Sequence, residues 1–341
     1  TTTAESDATN TDSVVNGGGT TLANTTLTVI GEADAFDAGT SLTGGTGTDT
    51  LQIAQKATSG NATAKIDGDI TGFDKIVVTD TAGNNTGGVT LDINDAAYAT
   101  ALDIDTTALD AGEADTITAD NATKAITVNA GEGISTIDTG TKADTINSGG
   151  GNDVINSQAG LDNINAGSGN DSITFDTEAD FLTTLGTSTV DGGSGTDTLT
   201  FSAAATLVTS ELTNIDNVEV LSLATGSTLT VNDAFLAANE GIVIQPGATS
   251  TIKASTATGD SLSTSLNIAA NAAGNLSLLG GTGDDTFTFY ATETLTVLDT
   301  INGGTGTDQI IVDIVDATPQ AGVGVNTTAV LDTNISNIER S

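Results

Sequence analysis

The sequence of 341 residues contains no cysteine, histidine, methionine or tryptophan. Without cysteine the chain can form neither a disulfide nor a thiolate metal site. Without histidine the usual zinc and iron sites are largely excluded, as are zinc proteases of the HExxH type and serine–histidine triads. The metal chemistry that stays open is that of hard cations bound by oxygen atoms.

Basic residues are also scarce, because 7 Lys and Arg stand against 45 Asp and Glu and give a formal net charge of −38. A nucleic-acid backbone or an anionic membrane surface would repel such a chain. The chain would also repel itself when compact unless cations neutralise it. The charge balance therefore predicts no nucleic-acid partner and favours bound metal ions.

Proline is rare, with 2 residues, whereas glycine contributes 41 residues and Thr, Asn and Asp are abundant. The apolar fraction of 37% includes many Val, Ile and Leu at regular spacing, which favours short strands and tight turns over disorder. No apolar run approaches the length of a membrane span, so no membrane insertion is expected. A short helix is the most that ALDIDTTALDAG (101–112) or VNDAFLAANEG (231–241) could hold.

The phrase GGxGxDx followed by an apolar residue occurs in four full copies. They are GGTGTDTLQ from Gly44, GGSGTDTLT from Gly192, GGTGDDTFT from Gly280 and GGTGTDQII from Gly303. This phrase is the sequence signature of a coiled β-structure whose turns hold calcium.

Looser copies follow one another directly between Ala130 and Thr174, as AGEGISTID, TGTKADTIN, SGGGNDVIN, SQAGLDNIN and AGSGNDSIT. A period of nine with one inward apolar residue does not fit an amphipathic helix; it fits a short strand and a tight turn, repeated on alternating sides of a flattened roll. The eighth residue of each copy is isoleucine: Ile137, Ile146, Ile155, Ile164 and Ile173. These residues form a ladder of apolar side chains, which Val128 extends by one step towards the N-terminus. Two nonapeptides then make one coil, which predicts that Asp144 stacks over Asp162 and Asp153 over Asp171.

The stacked turns predict calcium sites, because carboxylates and turn carbonyls would together supply the six to eight oxygens that calcium accepts. The candidate side-chain ligands are Asp49, Asp144, Asp153, Asp162, Asp171, Asp197, Asp285 and Asp308. The candidate backbone ligands are Gly45, Gly47, Gly149, Gly151, Gly167, Gly169, Gly193, Gly195, Gly281, Gly283, Gly304 and Gly306. Asp115 is a weaker candidate because the glycines of its copy are replaced.

A longer repeat surrounds the array, since GGTGTDTL is followed by GFDKIVV and GGSGTDTL by NIDNVEV. A third copy breaks off at the end of the sequence, where its edge is expected to be uncapped. Five segments are therefore predicted: an extended or mobile leader (1–28), a first β-solenoid repeat (29–107), a nonapeptide β-roll (108–191), a second repeat with calcium turns (192–302) and a partial third repeat (303–341).

These residues resemble the repeats-in-toxin family, whose consensus nonapeptide is GGxGxDxUx, with U an apolar residue. The interspersed phrase, GGxGTD followed by NIDNVEVLSL, is similar to bacterial surface-layer proteins of that type. The resemblance implies an all-β fold, a right-handed parallel β-roll or β-solenoid with several Ca²⁺ ions. It also implies type I secretion from a Gram-negative bacterium and an extracellular, cell-surface location. Three departures predict weaker turns: Lys142 replaces a glycine, Ser135 replaces an Asp, and SQAGLD lacks its first two glycines.

The function expected from this resemblance is structural: a chain that folds on calcium and assembles with copies of itself into a surface layer or filament. An enzyme is not expected, because the histidine-dependent sites are excluded and paired carboxylates are common to any acidic calcium scaffold. Two alternatives stay open: an adhesin segment that binds a glycan or another cell, and a fragment of a larger secreted protein. Cell-surface polysaccharide is a further candidate partner.

Overall fold

The computed structural model describes residues 2–5, 15–16, 26–31, 42–43, 47–55, 65–66, 70–80, 88–93, 101–183, 186–254, 266–268, 277–282, 285–290, 300–313 and 335–336. The chain folds as two compact units. Unit 1 comprises Thr1–Phe175 and Ala179–Asp197, and unit 2 comprises Asp176–Glu178 and Thr198–Ser341.

Short strands make up most of the regular structure. The first are β1 (Thr2–Glu5), β2 (Val15–Asn16), β3 (Thr26–Gly31), β4 (Leu42–Thr43), β5 (Thr50–Gln55), β6 (Lys65–Ile66), β7 (Ile70–Thr71), β8 (Lys75–Asp80), β9 (Val89–Asp92), β10 (Leu102–Asp105), β11 (Asp115–Thr118) and β12 (Ile126–Asn129). They are followed by β13 (Ser135–Asp138), β14 (Thr145–Asn147), β15 (Val154–Asn156), β16 (Asn163–Asn165), β17 (Ser168–Gly169), β18 (Ser172–Phe175), β19 (Leu182–Thr183), β20 (Gly186–Thr187), β21 (Thr189–Asp191) and β22 (Ser194–Gly195). The remainder are β23 (Thr198–Phe201), β24 (Thr206–Leu207), β25 (Ile215–Asp216), β26 (Val220–Leu223), β27 (Thr228–Val231), β28 (Val243–Pro246), β29 (Thr251–Ala254), β30 (Leu266–Ile268), β31 (Ser277–Thr282), β32 (Thr286–Tyr290), β33 (Thr300–Thr305), β34 (Gln309–Asp313) and β35 (Ile335–Ser336).

Helix is confined to short pieces in the described chain: α1 (Glu178–Phe181), α2 (Asp233–Ala238) and a 3₁₀ turn at Leu212–Asn214. The helix in VNDAFLAANEG is therefore confirmed, while ALDIDTTALDAG contains strand β10 and a turn instead. Neither helix is long and apolar enough to cross a membrane.

Unit 1 is a parallel β-solenoid in which the chain alternates between two main sheets. Within this unit one sheet has the order β1-β3-β5-β8-β10-β12-β14-β16-β21, and the other has the order β6-β9-β11-β13-β15-β18. Successive coils are in register, as in Ile146 against Ile164 and Ile155 against Ile173. The coil is 18 residues long in this array and 26 residues long at its end, where α1 and the antiparallel pair β19–β20 are accommodated.

Unit 2 repeats the same design with coils longer than the 18-residue coils of the array. Its two sheets have the orders β23-β26-β28-β30-β32-β34 and β24-β27-β29-β31-β33-β35, again with parallel pairing. Equivalent hydrogen bonds there join residues 22 and 23 positions apart. The short apolar stretches at 243–244, 266–268 and 287–289 lie in strands.

The core of the nonapeptide array in unit 1 is the predicted isoleucine ladder. Val128, Ile146 and Ile164 are fully buried from one sheet, and Ile155 and Ile173 from the other. The outward neighbours are mostly polar, which gives the strict alternation of a solenoid whose strands face the interior on one side only. The interior of each coil is therefore thin, and its stability depends on close stacking along the axis.

The predicted all-β parallel solenoid is confirmed, while its right-handedness and its five segments stay predictions. In the predicted leader, residues 2–5, 15–16 and 26–28 are in strands, and β1 pairs with β3. Gly45 and Gly283, two of the proposed backbone ligands, lie outside the described residues.

Ile155→Ala removes a fully buried ladder side chain and should lower the free energy of unfolding by about 2–5 kcal/mol, because the thin coil cannot fill the cavity. The neighbouring Val154 is 48% exposed, so Val154→Ala should change it by less than about 0.5 kcal/mol. Chemical denaturation of both variants in the same buffer checks this. Equal effects would show that the ladder is not the core.

Candidate metal centre

Aspartate side chains join each coil of the nonapeptide array to the coil before it. In each case Oδ1 accepts a hydrogen bond from the backbone N–H of the equivalent residue one coil earlier. We call one side of unit 1 column A. There Asp153 accepts from Ser135 N–H at 2.7 Å, Asp171 accepts from Asp153 N–H at 2.8 Å and Asp197 accepts from Asp171 N–H at 2.8 Å. We call the other side column B. There Asp144 accepts from Ile126 N–H at 2.7 Å and Asp162 accepts from Asp144 N–H at 2.9 Å. The predicted stacking of these aspartates is confirmed.

The position of each aspartate follows from the local chain path. Asp153 is the last residue of a turn, and Val154 begins strand β15. Its carbonyl accepts the hydrogen bond of Ser172 N–H in the next coil at 2.8 Å. The residue therefore belongs to the parallel hydrogen-bond ladder through its backbone, while its carboxylate reaches back to the preceding coil.

Glycines bring the turns of column A close together. Gly149, Gly151, Gly167, Gly169, Gly193 and Gly195 all have positive φ values, between 91° and 145°. At Gly169 a Cβ atom would overlap the carbonyl oxygen of Gly151 in the coil before. Backbone hydrogen bonds also join the turns of this column: Gly150 N–H donates to the Gly131 carbonyl and Ser168 N–H to the Gly149 carbonyl, both at 2.9 Å. Only glycine satisfies both the left-handed backbone and the close approach.

The second carboxylate oxygen of the array aspartates has no hydrogen-bond donor. Oδ2 of Asp144, Asp153, Asp162 and Asp171 is buried and makes no hydrogen bond, and these residues are only 1–2% exposed. The Ser148 hydroxyl lies near Asp153, but it donates to the carbonyl of Ala166 at 2.8 Å. The Ser157 hydroxyl lies near Asp162 and makes no other hydrogen bond, so it can turn towards that carboxylate. A buried anionic oxygen is costly unless a proton or a cation neutralises it.

Burial shifts the titration of these groups in the metal-free structure. Desolvation raises the pKa of Asp153 and Asp162 to about 7 and that of Asp144 to about 6, against the opposing effect of the backbone N–H hydrogen bonds. The pKa of Asp171 is raised by the same cause. These carboxylates therefore take up protons more readily than an exposed aspartate does.

The residues fit a calcium ion only if the backbone contributes. Within the part of the chain that the structure describes, no three carboxylates converge closely enough to hold a metal by themselves. Calcium takes six to eight oxygens, so most of its ligands would have to be carbonyls. The glycine turns of column A place carbonyls against the next coil, as at Gly133, Gly151 and Gly169.

Asp115 occupies the column A position two coils before Asp153. It pairs in register with Ser135, and its Oδ2 accepts a hydrogen bond from the Thr106 hydroxyl. Its Oδ1 is buried and without a donor, and desolvation raises its pKa. The structure thus joins the degraded copy to the column, although Ser135 interrupts the run of carboxylates.

In unit 2 the last two full copies of the motif lie on adjacent coils. Gly281 pairs in register with Gly304, and the N–H of Asp285 donates to Asp308 Oδ1 at 2.8 Å. A Cβ atom on Gly280 would overlap the carbonyl oxygen of Gly303. Gly304 and Gly306 have φ values of 102° and 146°. The two copies, which look like separate repeats in the sequence, form one stacked pair.

The first full copy stacks on a residue that lies outside the copies of the motif. Gly47 has a φ of 110°, and the N–H of Asp49 donates to Oδ2 of Asp74 at 2.9 Å. Asp74 lies in GFDK, which keeps one glycine, with a φ of 73° at Gly72, and the aspartate. Asp74 directly precedes strand β8, as Asp49 directly precedes strand β5. This shared position before a strand is the feature of the sequence that could have predicted the role of Asp74.

The same hydrogen bond also occurs in turns that have no aspartate. Ser188 Oγ accepts from Asp162 N–H at 3.1 Å, Ser227 Oγ from Ala205 N–H at 3.2 Å and Asn239 Oδ1 from Val218 N–H at 2.9 Å. A neutral oxygen is therefore sufficient to hold successive coils together. The negative charge of the aspartates is not needed for this contact.

Comparison with known proteins finds no matching family model, no matching curated protein and no matching solved structure.

Gly169→Ala should destabilise the protein by about 2 kcal/mol or more, because the new Cβ meets the Gly151 carbonyl and the backbone is left-handed. Gly112 has nothing within 4 Å of its Cβ position, so Gly112→Ala is the matched control and should change stability by less than about 0.5 kcal/mol. Thermal denaturation in calcium-containing buffer measures both. A tolerated alanine at 169 would contradict the close stacking.

Metal-free protein should be more stable at pH 5.5 than at pH 8. The folded pKa values of Asp153 and Asp162, about 7, lie above the ordinary value of 3.8. The folded state therefore binds more protons than the unfolded state in this window, and stability falls as pH rises, by up to about 1.4 kcal/mol per pH unit for each group.

Circular dichroism in metal-stripped buffer at the two pH values tests this, because it measures the fraction of the chain that is folded. The variant with Asp153→Asn and Asp162→Asn keeps the Oδ1 acceptors and should show a flatter pH dependence. A metal-free protein that gains stability towards pH 8 would contradict the assignment.

Proposed function

We propose that this chain is an extracellular structural protein of the repeats-in-toxin type, which folds on calcium and assembles with copies of itself into a surface layer or filament. The observation that carries the proposal is the stack of buried carboxylate oxygens without donors, beside glycine turns whose carbonyls face the next coil. Such oxygens favour a hard cation.

The chain's own residues would hold the ions between coils. Asp153 and Asp171 would contribute Oδ2, while their Oδ1 atoms stay on the backbone N–H groups of the preceding coil. Turn carbonyls, such as that of Gly151, would complete the ligand set. Bound calcium supplies the positive charge that the buried carboxylates lack. Because the turns come together only when the coils stack, ion binding and folding are coupled.

Charge supports the link between calcium and assembly. With a net charge of −38, copies of the chain repel one another unless cations neutralise part of that charge. Parallel coils also present N–H and C=O groups along the solenoid axis, and a strand edge of this kind can pair with another chain. Head-to-tail pairing would give a filament, and lateral contacts would give a layer.

Secretion and a cell-surface location follow from the same coupling. A chain that needs calcium to fold would stay unfolded where calcium is scarce and fold where it is abundant. The sequence resemblance to secreted surface-layer proteins supports this location. Catalysis is not part of the proposal.

Purified protein stripped of metal should regain β-structure and form particles when calcium is added, but not when magnesium is added at the same concentration. Magnesium is the matched control because it requires a smaller octahedral site. Circular dichroism follows folding, and negative-stain electron microscopy follows assembly.

The results separate the two halves of the proposal. If excess EGTA changes neither the circular dichroism spectrum nor the particles seen by electron microscopy, the calcium mechanism is wrong. If the chain folds on calcium but stays monomeric at all protein concentrations, the coupling of calcium binding to folding is retained. Self-assembly is then wrong, and the adhesin alternative takes its place.

A further inference from the structure

We infer that the calcium sites of the unit 1 array lie on one side only, in column A, and that column B is held together by the chain's own side chains without metal. The inference rests on the proposed calcium binding and specifies which of the candidate aspartates take part. It assigns Asp153, Asp171 and Asp197 to calcium, and Asp144 and Asp162 to a structural role. The Oδ2 atoms of Asp144 and Asp162 are as buried as those of Asp153 and Asp171, so the assignment depends on how the turns beside them are built.

The turns of column A are built for carbonyl ligands. Each of the turns 149–152, 167–170 and 193–196 contains two glycines with positive φ, stacked coil upon coil. Asparagine side chains reinforce the stack, since Asn152 Oδ1 accepts from Asn170 N–H at 2.8 Å and Asn170 Oδ1 from Thr196 N–H at 2.9 Å. None of these three turns contains a basic residue.

The turns of column B have a different construction. Neither Gly140 nor Gly160 has a left-handed backbone, and the residue with positive φ in the second turn is Gln158, at 58°. The Gln158 amide donates to Asp138 Oδ1 at 3.0 Å, and the Thr139 hydroxyl donates to the Ser157 carbonyl at 3.2 Å. Backbone carbonyls also lie against the next coil here, as that of Lys142 does at Gly160, but side-chain hydrogen bonds rather than paired left-handed glycines shape these turns.

The charged residues also favour calcium in column A over calcium in column B. Lys142 lies in the first turn of column B, and its ammonium attracts the carboxylate of Asp144. The ammonium group would repel a calcium ion placed there. At the end of the column, Ser188 replaces the aspartate and offers a neutral oxygen to Asp162 N–H. Column A instead continues with the carboxylate of Asp197.

Two double variants test the division. Asp153→Asn with Asp171→Asn removes charge from column A, and Asp144→Asn with Asp162→Asn removes the same charge from column B. Asparagine keeps Oδ1 as the acceptor for the preceding coil, as Asn239 does in unit 2. Both variants therefore preserve the contact between coils and differ only in the side that loses carboxylates.

Calorimetric titration counts the ions, and circular dichroism gives the calcium concentration at half-folding. The column A variant should bind fewer ions and shift that midpoint upwards by about tenfold or more, as loss of metal ligands does. The column B variant should keep the wild-type ion count and shift the midpoint by less than about twofold. A third variant, Lys142→Gly with Gln158→Gly and Ser188→Asp, should gain ions because it gives column B the features of column A.

Equal losses in the two double variants, or a third variant with no gain in ions, would overturn the one-sided assignment while leaving calcium binding intact. A wild-type protein that binds no calcium would instead overturn the proposed function itself. If the column A variant does not fold at any calcium concentration, the column B variant decides, because loss of ions there contradicts the assignment.

Discussion

The contact on which this structure depends is the hydrogen bond between a backbone N–H and a side-chain oxygen one coil further along the chain. One isoleucine per strand gives each coil a thin core, so neighbouring coils need polar contacts along the axis. Asp153 and Asp171 make this contact in the 18-residue coils. Ser227 and Asn239 make it in the longer coils of unit 2. Because oxygen acceptors of three residue types make this contact, it does not by itself explain why the turns of column A carry aspartates.

That explanation lies in the second carboxylate oxygen. A buried charge without a partner destabilises a fold by several kcal/mol in general, and a protein tolerates it where a ligand or a proton relieves it. The raised pKa values of Asp144, Asp153 and Asp162 express this cost in the metal-free structure. Under the proposed function, protons and metal ions would compete for the same oxygens. Acid would then displace an ion and yet support the stacked coils, whereas chelation at neutral pH would leave the buried carboxylates charged.

Glycine determines where backbone oxygens can join the carboxylates. In column A the left-handed glycines let the carbonyl of one turn lie against the α-carbon of the next, as at Gly151 and Gly169. In column B the turns around Lys142 and Gln158 close through side-chain hydrogen bonds. Two sides of one solenoid, formed by the same nine-residue period, thus have turns of different backbone conformation. The identity of a few turn residues decides this difference, since strand pairing and core are alike on both sides.

The sequence by itself determined the local period: nine residues with one apolar position predict alternating strands, the buried ladder through Ile146 and Ile155, and the stacking of Asp144 on Asp162. These features follow from spacing because the coils there have equal length. Only the tertiary structure showed that Asp197 continues column A across a coil of 26 residues, that Asp285 and Asp308 are neighbours, and that Asp74 and Ser188 share their role. Inserted residues break the phase along the chain, whereas the parallel hydrogen bonds between coils restore register in space. Register is a property of the folded ladder, and sequence spacing reports it only where no residues are inserted.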